Sequence, residues 1–469
     1  MLCVAGCTRD VSPFPPAGGK PGRLSPDGQI IASSLPPLGQ GIPVQVALLV
    51  PLTGPAGQTG QAIVNAAQLA LFDMKAAGAS LRPYDTEGTP QGTLEAAQRA
   101  ISEGASIIIG PLFSSGAKAL SEYVHVAGVP ALTLTTDPLA AGPYVYVAGF
   151  LIRDQARRVV DYALRQGMQR FAILSTDTPF GRAMAAEYER AVARVGGLLV
   201  NTLLRKPGED ASEDVRVLTS FDARVAEHAR LVEELEAQLE VKNDAEASKI
   251  LATLQTTETA GPLPFDALLM TSTGSALLED LALLASVDVT SASVRFIGPM
   301  LWNEPPWKTE PALTGAWYPA SSPTSHHRFA KHYTEVFGIP PVSQIASLGY
   351  DLTALAIKLP TDAGGVYGAF TREVLTSLSG FQGWDGLFRF RADGTIERHL
   401  AVMEIQPRGP NLVEEAPASF ELPLDTQASI EEGQREATPS KDSSLSEQPD
   451  QLQNMDAGRT GGRQDPVLQ

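Results

Sequence analysis

Cysteine is almost missing from the 469 residues: Cys3 and Cys7 are the only two, both at the amino terminus. The rest of the chain therefore holds no disulfide, no thiolate nucleophile and no cysteine metal site. Basic residues are also few, 36 Lys and Arg against 53 Asp and Glu, a net charge of −17. A nucleic-acid binder needs clustered Lys and Arg to displace counterions, so that class is excluded. No apolar run reaches the roughly 18 residues that a membrane-spanning helix requires. No Gly-x-x-x-x-Gly-Lys-Ser/Thr loop or Gly-x-Gly-x-x-Gly fingerprint follows an apolar run, so nucleotides have no backbone cradle. Neither a Gly-x-Ser-x-Gly elbow nor a His-Glu-x-x-His zinc helix occurs. His326, His327 and His332 cluster without a helix-aligned carboxylate, and read as a solvated helix start. His125, His228 and His399 are isolated. With no nucleophile–base pair, the chain reads as a binding protein, not an enzyme, with no cofactor and no metal.

What is present is an alternation of strands and helices. VQVALLV (Val44–Val50) is a continuous apolar run, and Ile63, Ala66, Ala67, Ala70, Leu71 and Met74 then recur at helical spacing towards Gly78, a candidate C-cap. Short runs at 81–85, 105–110 and 129–135 alternate with helical stretches at 93–103 and 114–127. Unbroken apolar strands between helices imply a parallel sheet covered on both faces, hence a doubly wound α/β lobe. A second unit follows, with strands at 171–175, 265–270, 294–298 and 315–318. The expected fold is α/β, with two Rossmann-like lobes joined by several hinge crossings. Its first lobe takes 44–148 and 321–382, and its second 149–320 and 383–408. Asp393-Gly394 is expected to close a hairpin through a type I′ turn. Between 206 and 261, Val225, His228, Val232, Leu235 and Leu239 step by three and four residues. This reads as a helical hairpin inserted in the second lobe, which either packs on its own lobe or docks a partner.

The two ends differ from this body. Residues 8–43 are rich in Pro, Gly and Ser and read as a tether. Residues 409–469 read as an acidic disordered tail; from 411 on they carry 12 acidic and 4 basic side chains. Val4-Ala5-Gly6-Cys7 resembles a bacterial lipobox, which would make 1–7 the end of a signal peptide and Cys7 the lipidated residue. The charged and apolar segments that precede such a box are not in the sequence, so this reading implies an upstream start; the alternative is a chance match in a cytosolic tail. By the same resemblance, Thr8 after the cysteine suits the outer membrane, facing the periplasm.

VALLVPLTGP, YDTEGTP, ASIIIGPLFSSGAKAL, GVPALTLTTD, TDTPFG and FIGP together resemble the type I periplasmic binding proteins, the leucine-binding-like superfamily, from about Val44 to Gln406. RFIGPMLWNEP, ALTGAWYPA and GWDGLFRFRADGTIERHLAVMEI, with the hairpin, resemble penicillin-binding-protein activators of the alphaproteobacterial type. That resemblance implies a periplasmic lipoprotein regulating peptidoglycan synthesis through contact with a bifunctional class A penicillin-binding protein. The alternative is a solute receptor of an ABC importer. The receptor resemblance also implies a ligand site: Ser114 and Ser115, then Thr133, Thr135 and Thr136, stand where receptors hold the ligand carboxylate. In the second lobe Phe180 and Met300 occupy the positions of an aromatic and of the acid that pairs with an ammonium, and Thr59 replaces a first-lobe aromatic. Helix N-termini and short hydroxyls suit a carboxylate. A buried ammonium without an anion is costly, so an α-amino acid is expected to bind poorly. The other reading of Ser114 is a helix cap.

Overall fold

In a computed structural model, residues 44–420 are described, apart from 76–77, 242–243, 342–344 and 367. The expectations for 1–43, Cys7 included, and for 421–469 lie outside these residues. Strand β1 (Val44–Val50) is buried along its whole length except at Gln45, as a strand between two helical layers must be. It leads through α1 (Gly57–Asp73), β2 (Ala79–Asp85), α2 (Pro90–Ser102), β3 (Ile107–Ile109), α3 (Ser114–Ala127) and β4 (Ala131–Thr133) to β5 (Val145–Val147). These five strands make one all-parallel sheet in the order β2-β1-β3-β4-β5.

The second sheet begins after α4 (Ile152–Arg165) with β6 (Arg170–Thr176), α5 (Pro179–Arg194) and β7 (Leu198–Arg205). Three helices follow, α6 (Ser212–Leu218), α7 (Phe221–Val241) and α8 (Ala245–Leu254), then β8 (Ala267–Met270), α9 (Gly274–Ala285), β9 (Arg295–Ile297) and β10 (Trp317–Ala320). The chain then returns to the first lobe as α10 (Pro323–Phe337), α11 (Ala346–Ala363) and α12 (Arg372–Leu375). Helix α11 lies along α1 closely enough that a Cβ on Gly349 would sit 2.8 Å from the Ile63 side chain. A three-stranded antiparallel sheet of β11 (Phe381–Gly383), β12 (Gly386–Phe390) and β13 (Ile396–Arg398) follows. Finally β14 (Ala401–Glu404) and β15 (Asn411–Glu414) extend the second sheet, in the order β15-β14-β10-β9-β8-β6-β7. The two sheets with helices on their faces are the expected doubly wound α/β lobes.

Several expectations need correction. Residues 383–408 do not all join the second lobe: Phe388, Phe390, Ile396 and Leu400 are buried in the first lobe's core, and only β14 pairs with β10. Apolar side chains on β12 and β13 complete the surface left open beside α11. The turn between them is not type I′, because only Gly394, and not Asp393, has positive φ. Arg391 and Thr395 close the loop, the Asp393 carboxylate accepts from Thr395 N and Oγ1, and Gly394 O accepts from Val147 N of β5 at 2.8 Å. The tail starts later than 409. Strand β15 pairs antiparallel with β14, Glu414 meets Arg158 at 2.7 Å and Arg165 at 2.5 Å, and Phe420 is buried under Arg389. Helix α1 stops at Asp73, capped by Met74, not at Gly78. The inserted hairpin is present as α7 and α8, with Asp244 capping α8 through the N–H groups of Glu246 and Ala247 and His228 bonded to Leu254 O at 2.9 Å. It is rooted by buried Arg224, which donates to Val287 O and Thr259 Oγ1. No helix of the described residues is long and apolar enough to cross a membrane.

Candidate ligand site at the strand ends

In open parallel sheets, ligands bind outside the carboxyl ends of the strands. In the first lobe β3 ends at Gly110, whose φ is +100° and where a Cβ would lie 2.1 Å from Leu49 O. This glycine lets the chain turn tightly into α3. The N-cap of α3 is Phe113, and no side chain caps its first turn. Ser114 is therefore the first helical residue and not the cap, which removes the capping explanation for it. Ser114 is half-buried and Ser115 exposed, and neither hydroxyl is hydrogen-bonded. Thr133 is fully buried and donates to Tyr146 O at 3.2 Å. That bond ties β4 to β5 and takes Thr133 out of a ligand's reach. Thr135 is buried and accepts from Asp137 N at 3.1 Å, while Thr136 is exposed. Thr59 is half-buried within α1, not in a loop.

On the second lobe, Thr178 caps α5 through Gly181 N at 3.0 Å, and Phe180 is half-buried in that helix's first turn. Ser175 and Thr271 bond each other at 2.8 Å, the Thr176 hydroxyl beside them is buried without a partner, and the Ser272 hydroxyl faces the Asp280 carboxylate. These four hydroxyls, at the ends of β6 and β8, escaped sequence reading because Ser and Thr at strand ends look like ordinary loop residues. Gly298 is followed by fully buried Trp302, whose Nε1 donates to Ser272 O at 3.1 Å. The loop between them brings Met300 across to the other lobe. Its N–H donates to Gln155 Oε1 at 3.1 Å, and its side chain, 9% exposed, packs in the first lobe's core with Phe150 and Leu151. Met300 is thus an interlobe packing residue.

The acids at the strand ends are all engaged locally. Burial raises the pKa of Asp85, but the N–H groups of Leu52 and Glu87 and the Thr53 hydroxyl outweigh it and hold the carboxyl below its usual range. Asp137 is likewise lowered: burial opposes, while Lys118 at 2.7 Å and Leu139 N prevail. Asp177 pairs with Arg182. Among the described residues no group of three His, Cys, Asp or Glu could hold a metal; His332 instead bonds Asp73 at 2.9 Å. The strand ends thus offer free hydroxyls and a bare helix N-terminus, with no unengaged aspartate.

The profile of the periplasmic binding protein family matches residues 43–410. The chain belongs to this family. Leu/Ile/Val-binding protein BraC3 of Rhizobium johnstonii is 26% identical over 186 residues, 36% of this chain and 49% of that protein. The chain spans about half the length of the curated relatives it matches. The crystal structure of a putative branched-chain amino acid ABC transporter from Rhodospirillum rubrum superposes with a TM-score of 0.62 at 17% identity, covering 79% of this chain and 99% of that one. A Rhodopseudomonas palustris solute-binding protein in complex with 3,4-dihydroxybenzoic acid gives 0.51 at 18% identity, covering 82% and 99%. Both share this binding protein's fold.

Two cavities in this periplasmic binding protein lie apart from these residues. One, of about 620 Å³, is lined by Asn303, Glu304, Lys308, Ser321, His326 and His327 among others. The other, of about 470 Å³, lies between α11 and β11. Neither is lined by Ser114, Ser115, Thr133, Thr135, Thr136, Phe180 or Met300.

Proposed function

We propose that the protein is a periplasmic solute receptor, of the kind that serves ABC importers, for a small carboxylate that lacks an α-ammonium group. The observation that carries this reading is the charge of the strand ends. Ser114 and Ser115 stand at the N-terminus of α3, suited to a carboxylate, and exposed Thr136 lies in the loop after β4, while Asp85, Asp137 and Asp177 are already paired or hydrogen-bonded. The place of an ammonium partner is held by Met300, turned into the opposite lobe. The relative from Rhodopseudomonas, with its bound aromatic acid, supports the ligand class by analogy of fold. The test compares leucine with 4-methylpentanoate, the same skeleton without the amine, by thermal shift. Bound ligand stabilises by RT ln(1 + [L]/Kd), so 4-methylpentanoate or an aromatic carboxylate raises Tm and leucine does not. Micromolar binding of leucine overturns the reading.

The inserted hairpin favours a second reading, a lipid-anchored regulator that contacts a class A penicillin-binding protein. Residues 206–261 hold 13 acidic and 6 basic side chains, and Val225, Val241 and Ile250 are exposed on α7 and α8. A receptor needs no such arm. Copurification of a penicillin-binding protein with the full chain, lost when 227–256 is replaced by a short Gly-Ser loop, supports this reading; unchanged copurification removes the hairpin from it.

A further inference from the structure

The cavity between α11 and β11 is separate from the strand-end site and goes beyond both readings above. Its walls carry the rings of Tyr350, Phe381, Trp384 and Phe388, with Met74 and Leu355 beside them. The rings are fixed against one another: Tyr350 meets Trp384 edge-on at 5.9 Å, and Phe381 meets Phe388 at 5.8 Å. Asp351 is the acid on this wall. Its Oδ1 accepts from Trp384 N at 2.8 Å and its Oδ2 from Asp385 N at 3.4 Å, so indole and carboxylate are held together by one turn. A Cβ on Gly383 would lie 2.2 Å from Asp351 Oδ2, and glycine alone permits the strand to come so near. Burial first, and the Asp385 carboxylate second, push Asp351 up to about 7, with the Arg398 guanidinium pulling the other way. Lys358 is the cation on the wall, and Asp362 holds its ammonium at 2.8 Å on an exposed stretch of α11.

A buried carboxylate that carries a proton near neutral pH gives that proton up when a cation takes its place. Aromatic faces attract cations as well, and Trp384 already has the Arg328 guanidinium 5.7 Å from its ring centre. We propose that this cavity binds a small organic cation with an apolar body, an amine or quaternary ammonium, its charge set between Asp351 and the rings of Tyr350 and Trp384. An anion would face the Asp351 carboxylate on the wall. A neutral ligand would fill the same walls without engaging the carboxylate.

The experiment is isothermal titration of the full chain with benzylamine, tetraethylammonium, benzyl alcohol and benzoate at pH 6 and pH 8. Both cations bind, and benzyl alcohol, the neutral near-isostere of benzylamine, binds at least about tenfold more weakly. Benzylamine affinity rises about tenfold from pH 6 to pH 8 as Asp351 loses its proton. Asp351→Asn flattens that dependence, Trp384→Ala weakens both cations, and Ser114→Ala leaves them unchanged, which separates this cavity from the strand-end site. Trp384→Phe, which keeps a ring and the packing, serves if the alanine variant does not fold, and weakens cation binding less. Equal affinity for benzyl alcohol or benzoate, binding that survives in both Trp384 variants unaltered, or no cation binding at all overturns the proposal.

Discussion

Arg205 in the second lobe and Arg398 in the first are both buried beside acids, and they are held differently. Arg205 donates its Nε to Asp280 at 2.6 Å, its Nη1 to Glu279 at 2.9 Å and its Nη2 to Ala276 O at 3.2 Å. Every nitrogen of that guanidinium is used. Arg398 lies over Phe150 and Phe388 and has a single weak bond to Ala148 O at 3.4 Å, while its Nε and Nη1 have no partner. The charges of Asp385, Asp351 and Asp154 act on it from a distance. A buried guanidinium with every donor used holds its acid in place more firmly than one left without partners, although Asp280 keeps one unpartnered oxygen and burial raises its pKa too. The second lobe's arginine is fully donated and the first lobe's is not.

The sharpest way to break this contrast is to remove the arginines. Arg205→Ala strands Asp280 in the core and costs about 3–5 kcal/mol, read by urea unfolding at pH 7. Arg398→Ala costs less at pH 5 than at pH 8, because its acids can protonate. Equal costs at both pH values would erase the distinction. The next effect is the titration of Asp351 itself. Its folded pKa of about 7 lies above its usual value of 3.8, so the native state binds the proton more tightly than the unfolded chain. That contribution is present in full below the unfolded value and is lost as pH rises from about 4 to 7, by at most roughly 4 kcal/mol. Asp351→Asn flattens this part of the stability profile and is more stable than the wild type at pH 8. A parallel loss of stability in the variant between pH 4 and 7 would assign the titration elsewhere.

How far the sequence reveals this depends on the range of the interactions. The strands β1, β6 and β8 are legible because each is a run of apolar residues buried on both faces. The α7–α8 hairpin is legible because Val225, His228, Val232, Leu235 and Leu239 step by three and four residues. Strand β5 (VYV) and strand β15 (NLVE) are too short and too mixed to stand out, and their pairing is set by β4 and β14. The placement of 383–400 is not legible for the same reason. Phe388 and Ile396 alternate as any half-buried strand does, and nothing local states which lobe they cover. At the candidate site, an apolar residue at Met300 is legible in the Gly298-Pro299-Met300 string. That its side chain reaches Phe150, and that Thr176 buries an unpartnered hydroxyl, depends on the packing of Trp302 and Gln155 from distant parts of the chain.

The smallest predicted effects separate two hydroxyls that the sequence presents alike. Thr133 is sealed between β4 and β5 and bonds Tyr146 O, so Thr133→Val removes a buried hydrogen bond and costs about 1 kcal/mol of stability. Ligand affinity stays where it was, because no ligand reaches that oxygen. Ser114 opens α3 with its hydroxyl unused, so Ser114→Ala changes stability by less than about 0.5 kcal/mol. It weakens carboxylate binding by about tenfold, the worth of one hydrogen bond to a charged group. Measuring Tm and carboxylate Kd on both variants yields two numbers each, and the expected pattern is crossed: Thr133→Val moves the first, Ser114→Ala the second. If Ser114→Ala moves neither, the Ser114 hydroxyl does not hold the carboxylate, and Thr136→Ala tests the neighbouring hydroxyl. Loss of affinity in Thr136→Ala places the ligand against that hydroxyl; no loss in either variant leaves the side-chain hydroxyls out of carboxylate binding.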